Sequence, residues 1–211
     1  MAGPDVDFWA GMFARGAMPW DRGEANPALA GLIEQGVLSA GMRIVVPGCG
    51  SGYELPVLAQ AGLDVIALDY TPAAVERARA LVATLPASVA ARVRVEQADV
   101  LQWRPPAPVD AVYEQTCLCA LHPDHWVDYA ARLHDWLAPE GLLIAQFVQA
   151  QRPGAAEGFV EGPPYHCDIH GMRALFTGRD WIWPKPPYPR AQPKPGLAEL
   201  MVLLRPALRI R

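Results

Sequence analysis

The hydrophobic pattern of the chain alternates between two periods. Short apolar runs bounded by turn residues predict buried strands, and the stretches between them carry apolar residues at helical spacing. The predicted strands are residues 44–47, 65–69, 93–99, 109–113, 142–147 and 198–204, and the predicted helices are residues 53–61, 71–85 and 124–137. Strands that alternate with helices predict an α/β fold, in which a mostly parallel sheet is covered by helices on both faces.

Residues 1–30 follow neither period. They hold a cluster of aromatic residues broken by glycines and Pro19, which is typical of an irregular or partly helical arm. The aromatic residues are Phe8, Trp9, Phe13 and Trp20. A chain of 211 residues suffices for one substantial core, so we predict a single domain over residues 1–211 with this arm as a lid.

Composition and charge narrow the class of protein. The chain has 18 basic and 22 acidic residues, and because the basic residues are scattered, nucleic acid is a poor partner. No apolar run approaches the ~20 residues that span a bilayer, and no basic segment followed by an apolar one begins the chain. We expect a cytoplasmic protein, monomeric or weakly dimeric, whose four cysteines are reduced.

A glycine-rich turn follows the first predicted strand and reads Gly48-Cys49-Gly50-Ser51-Gly52. Glycines let the backbone approach a ligand closely, and the amino terminus of the next helix stands beside such a turn. The dinucleotide fingerprint would place a third glycine at Tyr53, so the pattern favours S-adenosylmethionine over NAD. The alternative is a tight turn without a ligand.

Two acidic residues end the next two predicted strands. Asp69 lies seventeen residues beyond Gly52, where a carboxylate can accept hydrogen bonds from both hydroxyls of a ribose. Asp99 ends the third strand, where an adenine could lie. Either acid could instead cap a helix or hydrogen-bond a turn. The three features in this order favour a nucleoside cofactor.

A group of potential metal ligands lies between the fourth strand and the following helix. Cys117, Cys119, His122 and His125 form a C-x-C plus H-x-x-H cluster. Their short spacing within one loop is poor for zinc, and cysteine is often a small buried apolar residue, so we predict no metal site. A local base at His122, or a place for it at the mouth of the site, is a better interpretation.

Proline marks two further segments. Gly162-Pro163-Pro164-Tyr165 is similar to the N/D-P-P-Y loop of adenine N6-methyltransferases, but glycine replaces the polar first residue and the loop follows the fifth strand. DNA methylation is therefore disfavoured. Residues 184–195 are dense in proline, and we expect an ordered loop there rather than a ligand for a partner domain.

Three motifs together resemble the thiopurine S-methyltransferase superfamily, and within it the thiol and halide methyltransferases of plants and fungi. The similarity runs from about Trp9 to about Phe176, with the motifs in the family's order. It implies a class I methyltransferase with a Rossmann-like, seven-stranded, mostly parallel sheet. The motifs are Met18-Pro19-Trp20-Asp21-Arg22-Gly23, Val46-Pro47-Gly48-Cys49-Gly50-Ser51-Gly52 and Gly162-Pro163-Pro164-Tyr165.

The resemblance also implies site residues. The arm would close over S-adenosylmethionine, and because a sulfonium is a cation, aromatic faces there would attract it by ~0.5–2 kcal/mol. The alternative is that these aromatics simply pack in a core. Tyr165 and Gln115 are the implied catalytic residues on the acceptor side. The implied cofactor residues are Trp9, Phe13, Trp20, Gly48, Gly50, Asp69, Asp99, Val100 and Glu114, the last at a position where the family carries an aspartate after the fourth strand.

The sequence departs from the family at two positions. Phe13 stands where tryptophan is usual, and Gln115 stands where the thiopurine enzymes carry an arginine. A neutral amide is a weaker partner for an anionic heterocycle, so we expect a thiol, sulfide or halide acceptor. Another small acceptor, such as a thiopurine, carboxylate, amine or metalloid, stays open. So does a cofactor-binding protein without turnover, although the intact arm and Tyr165 disfavour it.

Overall fold

The computed structural model describes residues 3–150, 152–157, 159–194 and 197–207. The chain divides into two compact units. The first unit is Asp5–Trp103, and the second is Arg104–Arg211 with Met1–Pro4. That residues 1–211 form a single domain stays a prediction. None of the helices in the described part of the chain has both the length and the apolar character that a bilayer crossing demands.

The first unit is a parallel sheet of three strands with five helices. Its strands pair in parallel, with the second strand between the other two. Both faces of the first two strands are largely buried, as their apolar runs predict. The elements are α1 (Val6–Ala14), α2 (Ala28–Glu34), β1 (Arg43–Pro47), α3 (Glu54–Gln60), β2 (Asp64–Asp69), α4 (Pro72–Ala83), α5 (Ala87–Ala90) and β3 (Val93–Gln97).

The register of these strands determines which residues share an edge of the sheet. Pro47 of β1 is paired with Leu68 of β2, and Asp69 is paired with Gln97 of β3. The carboxyl ends of parallel strands meet at one edge, which is where ligands bind in open α/β sheets. The glycine turn after β1 and the carboxylate of Asp69 therefore lie at the same edge.

The second unit contains a mixed sheet. Its first two strands are parallel, and its last strand runs antiparallel to the three strands with which it pairs. Short 3-10 turns lie at Leu118–Ala120, Pro123–His125 and Pro153–Glu157. The elements are β4 (Val109–Gln115), α6 (Trp126–Trp136), β5 (Leu137–Gln149), α7 (Ile169–Leu175), β6 (Trp181–Ile182), β7 (Arg190–Lys194) and β8 (Leu197–Pro206).

The strands differ from the predictions at several ends. β3 ends at Gln97 instead of Asp99, while β4 continues to Gln115, so Glu114 lies within the strand instead of after it. The described residues contain eight strands, one more than the resemblance implies, because β7 occupies part of the segment expected to be a loop. Pro195 in that segment lies outside the described residues.

The predicted turn before the fifth strand is a bulge inside β5. Leu137 pairs with Val109, and pairing resumes at Leu142 opposite Ala111, so residues 138–141 bulge out of the ladder. The strand therefore begins five residues earlier than its apolar run. The helix before it begins at Trp126, because residues 123–125 form a 3-10 turn.

Candidate active site

The glycine turn has a backbone that requires glycine. Gly50 has φ +53° and Gly52 has φ +80°, in the left-handed region that side chains rarely adopt. A Cβ atom on Gly52 would come within 3.2 Å of the Ala78 backbone, so this glycine also allows α4 to pack closely. A Cβ atom on Gly50 would meet no described atom within 4 Å. The backbone at Gly50 thus combines the conformation and the space that close approach of a ligand needs.

Asp69 connects the end of β2 to the glycine turn. Its Oδ2 accepts a hydrogen bond from the Gly50 N–H at 3.0 Å, and its Oδ1 accepts one from the Thr71 N–H at 2.9 Å. Burial raises the pKa of Asp69, because loss of water outweighs these hydrogen bonds. The Thr71 side chain and the Tyr70 backbone also hydrogen-bond this carboxylate, so a ribose hydroxyl would bind by sharing or replacing one of these local bonds. The sequence predicted the position of Asp69 but not its bond to the turn.

The predicted cap of α4 has the right position but a different function. Thr71 is the N-cap residue, yet its side chain makes no capping hydrogen bond. Its N–H instead donates to Asp69. The residue therefore helps to hold the carboxylate at the end of β2.

The structure brings the aromatic residues of the arm together. The ring of Trp20 lies 5.2 Å from Trp9 and 6.1 Å from Phe13, and both pairs pack edge to face. Trp9 and Trp20 are half-buried, whereas Phe13 is buried and has the Arg77 guanidinium 5.4 Å from its ring centre. Phe13 thus also anchors α1 to α4. Trp9 and Trp20 keep accessible ring surface.

Asp99 makes the local contacts of a turn residue. Its side chain is exposed, and Oδ1 accepts a hydrogen bond from the Leu101 N–H at 2.9 Å. Its carbonyl accepts further bonds from Gln102 and Trp103. Val100 beside it is buried. The turn that the sequence left as an alternative is present, and the adenine contact predicted for Asp99 and Val100 stays a prediction.

A hydrogen-bonded chain fixes the side chain of Gln115 at the end of β4. The register pairs Gln115 with Gln146 of β5, and the Tyr113 side chain lies on the same face of β4. Gln146 Nε2 donates to the Tyr113 hydroxyl at 2.7 Å, and that hydroxyl donates to Gln115 Oε1 at 2.9 Å. Gln115 Oε1 is thus an acceptor inside this network, and the other end of the amide carries only N–H donors. Tyr113 and Gln146 were missed in the sequence because this network depends on strand register.

The backbone is strained directly after Gln115. Thr116 has φ +63°, which is rare for a β-branched residue. Its hydroxyl donates to the Gln115 carbonyl at 2.6 Å, and the Cys119 thiol donates to the Thr116 carbonyl. Strain of this kind is often found where side chains are held for function. It lies here beside the residue assigned to the acceptor side.

Glu114 is a fully buried carboxyl group. Its Oε1 accepts a hydrogen bond from the Leu118 N–H at 2.7 Å, while its Oε2 has no hydrogen-bond partner among the described residues. Burial, reinforced by the negative charge of Glu199, raises the pKa of Glu114 to about 7. Glu114 therefore holds the 3-10 turn after β4. Its contact with a cofactor stays a prediction.

We expect Glu114→Gln to flatten the pH dependence of stability. The carboxyl has an ordinary pKa near 4.5 in the unfolded chain and about 7 in the fold, so the folded state binds the proton more tightly. Its stabilising contribution is complete below pH 4.5 and is lost as the pH rises through 7, a change of about 3 kcal/mol. The measurement is urea unfolding at several pH values between 4.5 and 8.5, with Glu34→Gln as a surface control. If the free energy of unfolding changes with pH equally in the parent and in Glu114→Gln, the raised pKa does not belong to Glu114.

Tyr165 is held by the loop that contains its motif. Its N–H donates to the Cys119 carbonyl at 2.7 Å, and its ring packs edge to face on His122 at 5.4 Å. The residue is only 5% exposed, and burial raises the pKa of its hydroxyl, which stays protonated at neutral pH. A side chain at Gly162 would overlap the Tyr165 ring. This explains why glycine replaces the polar residue of the N/D-P-P-Y loop.

The cysteines and histidines after β4 do not form a metal-binding cluster in the part of the chain that the structure describes. Cys117 and Cys119 are buried, and burial raises the pKa of the Cys119 thiol. A protonated thiol is a poor metal ligand. His122 Nδ1 lies 3.3 Å from an Asp124 carboxylate oxygen. Within the ranges that the structure describes, no three His, Cys, Asp or Glu side chains are arranged to hold a metal ion.

Comparison with solved structures identifies the fold class. The chain superposes on the 1,6-didemethyltoxoflavin-N1-methyltransferase of Burkholderia thailandensis with a TM-score of 0.74 and 18% identity. The match covers 96% of this chain and 87% of the other, whose structure contains S-adenosylhomocysteine. The protein therefore has the Rossmann-like fold of class I methyltransferases, as the sequence predicts.

Sequence comparison then identifies the family. The sequence model of the thiopurine S-methyltransferase family matches residues 4–182. A probable thiol methyltransferase of Arabidopsis thaliana is 35% identical over 76% of this chain and 67% of its own. A thiopurine S-methyltransferase of Azotobacter vinelandii is 28% identical over 83% of each chain. The chain belongs to the thiopurine S-methyltransferase family and is an S-adenosylmethionine-dependent methyltransferase of small molecules.

Proposed function

We propose that the protein methylates a small thiol, sulfide or halide. The observation that carries this proposal is the Gln115 amide, whose oxygen accepts the Tyr113 hydroxyl and whose donors are neutral. A neutral donor suits a small, soft anion, whereas an anionic heterocycle gains more from the planar guanidinium of an arginine. The 35% identity to a probable thiol methyltransferase supports the same acceptor class.

The residues of the first unit fit the cofactor. The space at Gly50 admits close approach of a ligand, and the Asp69 carboxylate beside it can accept ribose hydroxyls in exchange for local hydrogen bonds. Trp9 and Trp20 offer ring surface to a sulfonium. Bound S-adenosylmethionine supplies a methyl group on a cationic sulfur. We assign Trp9, Phe13, Trp20, Gly48, Gly50, Asp69, Asp99 and Val100 of this unit to its binding, while Glu114 of the second unit, which the resemblance implies as a further cofactor residue, stays a prediction.

The residues of the second unit act on the acceptor. The Tyr165 hydroxyl, protonated because burial raises its pKa, can donate a hydrogen bond to a thiolate or halide. Gln115 supplies a second donor whose orientation Tyr113 fixes. A thiol must also lose its proton, and since free thiols have a pKa near ~8.5, a small stabilisation of the thiolate is enough. The chain then needs to supply alignment and a dry site rather than acid catalysis.

Product analysis tests the proposal. The protein is incubated with methyl-labelled S-adenosylmethionine and a panel of hydrosulfide, small thiols, iodide, a thiopurine, a carboxylate and an amine. We expect label in methanethiol, methyl thioethers and methyl iodide, and little in the thiopurine. Turnover confined to the carboxylate or the amine would contradict the acceptor class. Cofactor binding without turnover of any acceptor would favour a binding protein.

We also propose that the protein works in the cytoplasm as a monomer or weak dimer, without nucleic acid. The scattered basic residues support the last point. Light scattering at protein concentrations from micromolar to millimolar measures the oligomeric state. A stable oligomer at low micromolar concentration would contradict a monomer or weak dimer.

A further inference from the structure

One carboxylate joins the aromatic arm to the glycine turn. Asp21, the residue after Trp20, accepts a hydrogen bond from the Gly23 N–H on Oδ1 at 2.8 Å. Its Oδ2 accepts the Ser51 hydroxyl at 2.6 Å. That distance is in the range of charge-assisted bonds between a hydroxyl and a carboxylate, which are about twice as strong as neutral ones. Asp21 and Ser51 are thirty residues apart, so this bond fixes the arm on the turn.

Each end of this bond is adjacent to a group that we assign to the cofactor. On one side, Trp20 packs against Trp9 and Phe13. On the other side, Ser51 follows Gly50, whose N–H is held by Asp69 at 3.0 Å. The aromatic cluster and the Asp69 carboxylate are thus connected, inside the first unit, through two hydrogen bonds and the residues next to them in the chain.

A second tie lies near the end of the arm and holds the chain there independently of Asp21. The Asn26 N–H donates to Glu54 Oε1 at 3.1 Å, at the first residue of α3. Asn26 is only 2% exposed, and burial raises the pKa of Glu54. Loss of the bond between Asp21 and Ser51 would therefore loosen the part of the arm before Asn26 and leave the segment from Asn26 onwards attached.

We propose that the hydrogen bond between Asp21 and Ser51 is a latch that positions the aromatic arm for S-adenosylmethionine. Asp21 and Ser51 are then positioning residues, which act through Trp20 and Gly50. The proposal rests on the cofactor residues assigned under the proposed function. Without the latch, only a fraction of the molecules holds the arm in place, and the apparent affinity falls to that fraction of its parental value.

The latch predicts a change in cofactor affinity with little change in catalysis. Loss of a hydrogen bond to a charged group opens the arm in most molecules, so Ser51→Ala should weaken binding of S-adenosylmethionine about 10-fold. The rate at saturating cofactor should stay within about twofold of the parent, since cofactor binding restores the arm. Ser51→Thr keeps the hydroxyl and should retain most of the affinity. Ser88→Ala, an exposed serine in α5, is the matched control.

Calorimetry on a double-mutant cycle tests the pair. Asp21→Ala and the double variant Asp21→Ala/Ser51→Ala should bind S-adenosylmethionine equally, because the second change removes a bond that is already lost. Trypsin cleavage after Arg15 gives an independent measurement. We expect S-adenosylmethionine to slow it strongly in the parent and weakly in Ser51→Ala.

Three results would overturn the latch. They are parental affinity in Ser51→Ala, losses that add in the double variant, and an equal loss in Ser88→Ala. Failure of the cofactor assignment looks different, because Asp69→Ala would then bind S-adenosylmethionine as the parent does. A folded Ser51→Ala protein with weak binding, together with a weak-binding Asp69→Ala protein, supports both.

Discussion

Asp69→Ala should bind S-adenosylmethionine about 100-fold more weakly than the parent. The substitution removes an acceptor for two ribose hydroxyls, and hydrogen bonds to a charged group contribute roughly 1.5–3 kcal/mol. It also leaves the Gly50 N–H without the carboxylate that now holds it at 3.0 Å. Because the one substitution removes both the ribose acceptor and the support of the turn, the loss of affinity should exceed that of removing a ribose contact alone. Calorimetric titration with the cofactor measures it.

Two further variants separate these contributions. Asp69→Asn keeps one oxygen, which can still accept the Thr71 N–H, but its amide nitrogen cannot accept from Gly50. We expect it to lose nearly as much affinity as Asp69→Ala. Asp64→Ala, an exposed aspartate at the other end of β2, should bind normally. A folded Asp69→Ala protein with parental affinity would show that Asp69 serves only the turn.

Tyr165→Phe should slow methylation of hydrosulfide and iodide about 10- to 100-fold at unchanged cofactor affinity. Its hydroxyl makes no hydrogen bond to the described residues. Its ring packs on His122, and its backbone N–H donates a hydrogen bond to the Cys119 carbonyl. A hydroxyl donor that makes no hydrogen bond to the described residues is suited to an incoming anion, and a hydrogen bond to an anion contributes roughly 1.5–3 kcal/mol. Steady-state rates for both acceptors, measured beside cofactor binding, give the result.

The matched control for this variant is Tyr188→Phe. Tyr188 lies in the proline-dense segment, and its hydroxyl accepts a hydrogen bond from Arg173 instead of facing an acceptor. Parental rates are expected for this control. If Tyr165→Phe also keeps the parental rate on every small acceptor, the hydroxyl has no part in the reaction.

Local patterns were enough to predict most elements of the fold. The apolar runs predicted β1, β2 and β4 because such strands are buried on both faces, and Thr71-Pro72 marked the start of α4. α2 was missed, since it has only seven residues, begins after Pro27 and contains Gly31. Short helices are determined by tertiary packing more than by propensity.

The site was predicted only where a residue follows a strand or belongs to a motif. Asp69 could be placed because it ends β2, and Tyr165 because its loop resembles a family motif. The hydrogen bonds that position them could not be predicted. The bond between Asp21 and Ser51 joins residues thirty positions apart, and the contact of Gln146 with Tyr113 depends on the register of β4 and β5.

The acceptor class follows from one comparison of rates. The measurement is the ratio of kcat/KM for hydrosulfide to kcat/KM for 6-mercaptopurine, determined in competition at pH 7 with saturating S-adenosylmethionine. The neutral Gln115 amide lacks the charge-assisted partner that an anionic heterocycle needs, so we expect hydrosulfide to be preferred by at least about 10-fold. Gln115→Arg should move the ratio towards the thiopurine. A parent enzyme that prefers 6-mercaptopurine would contradict the proposed acceptor.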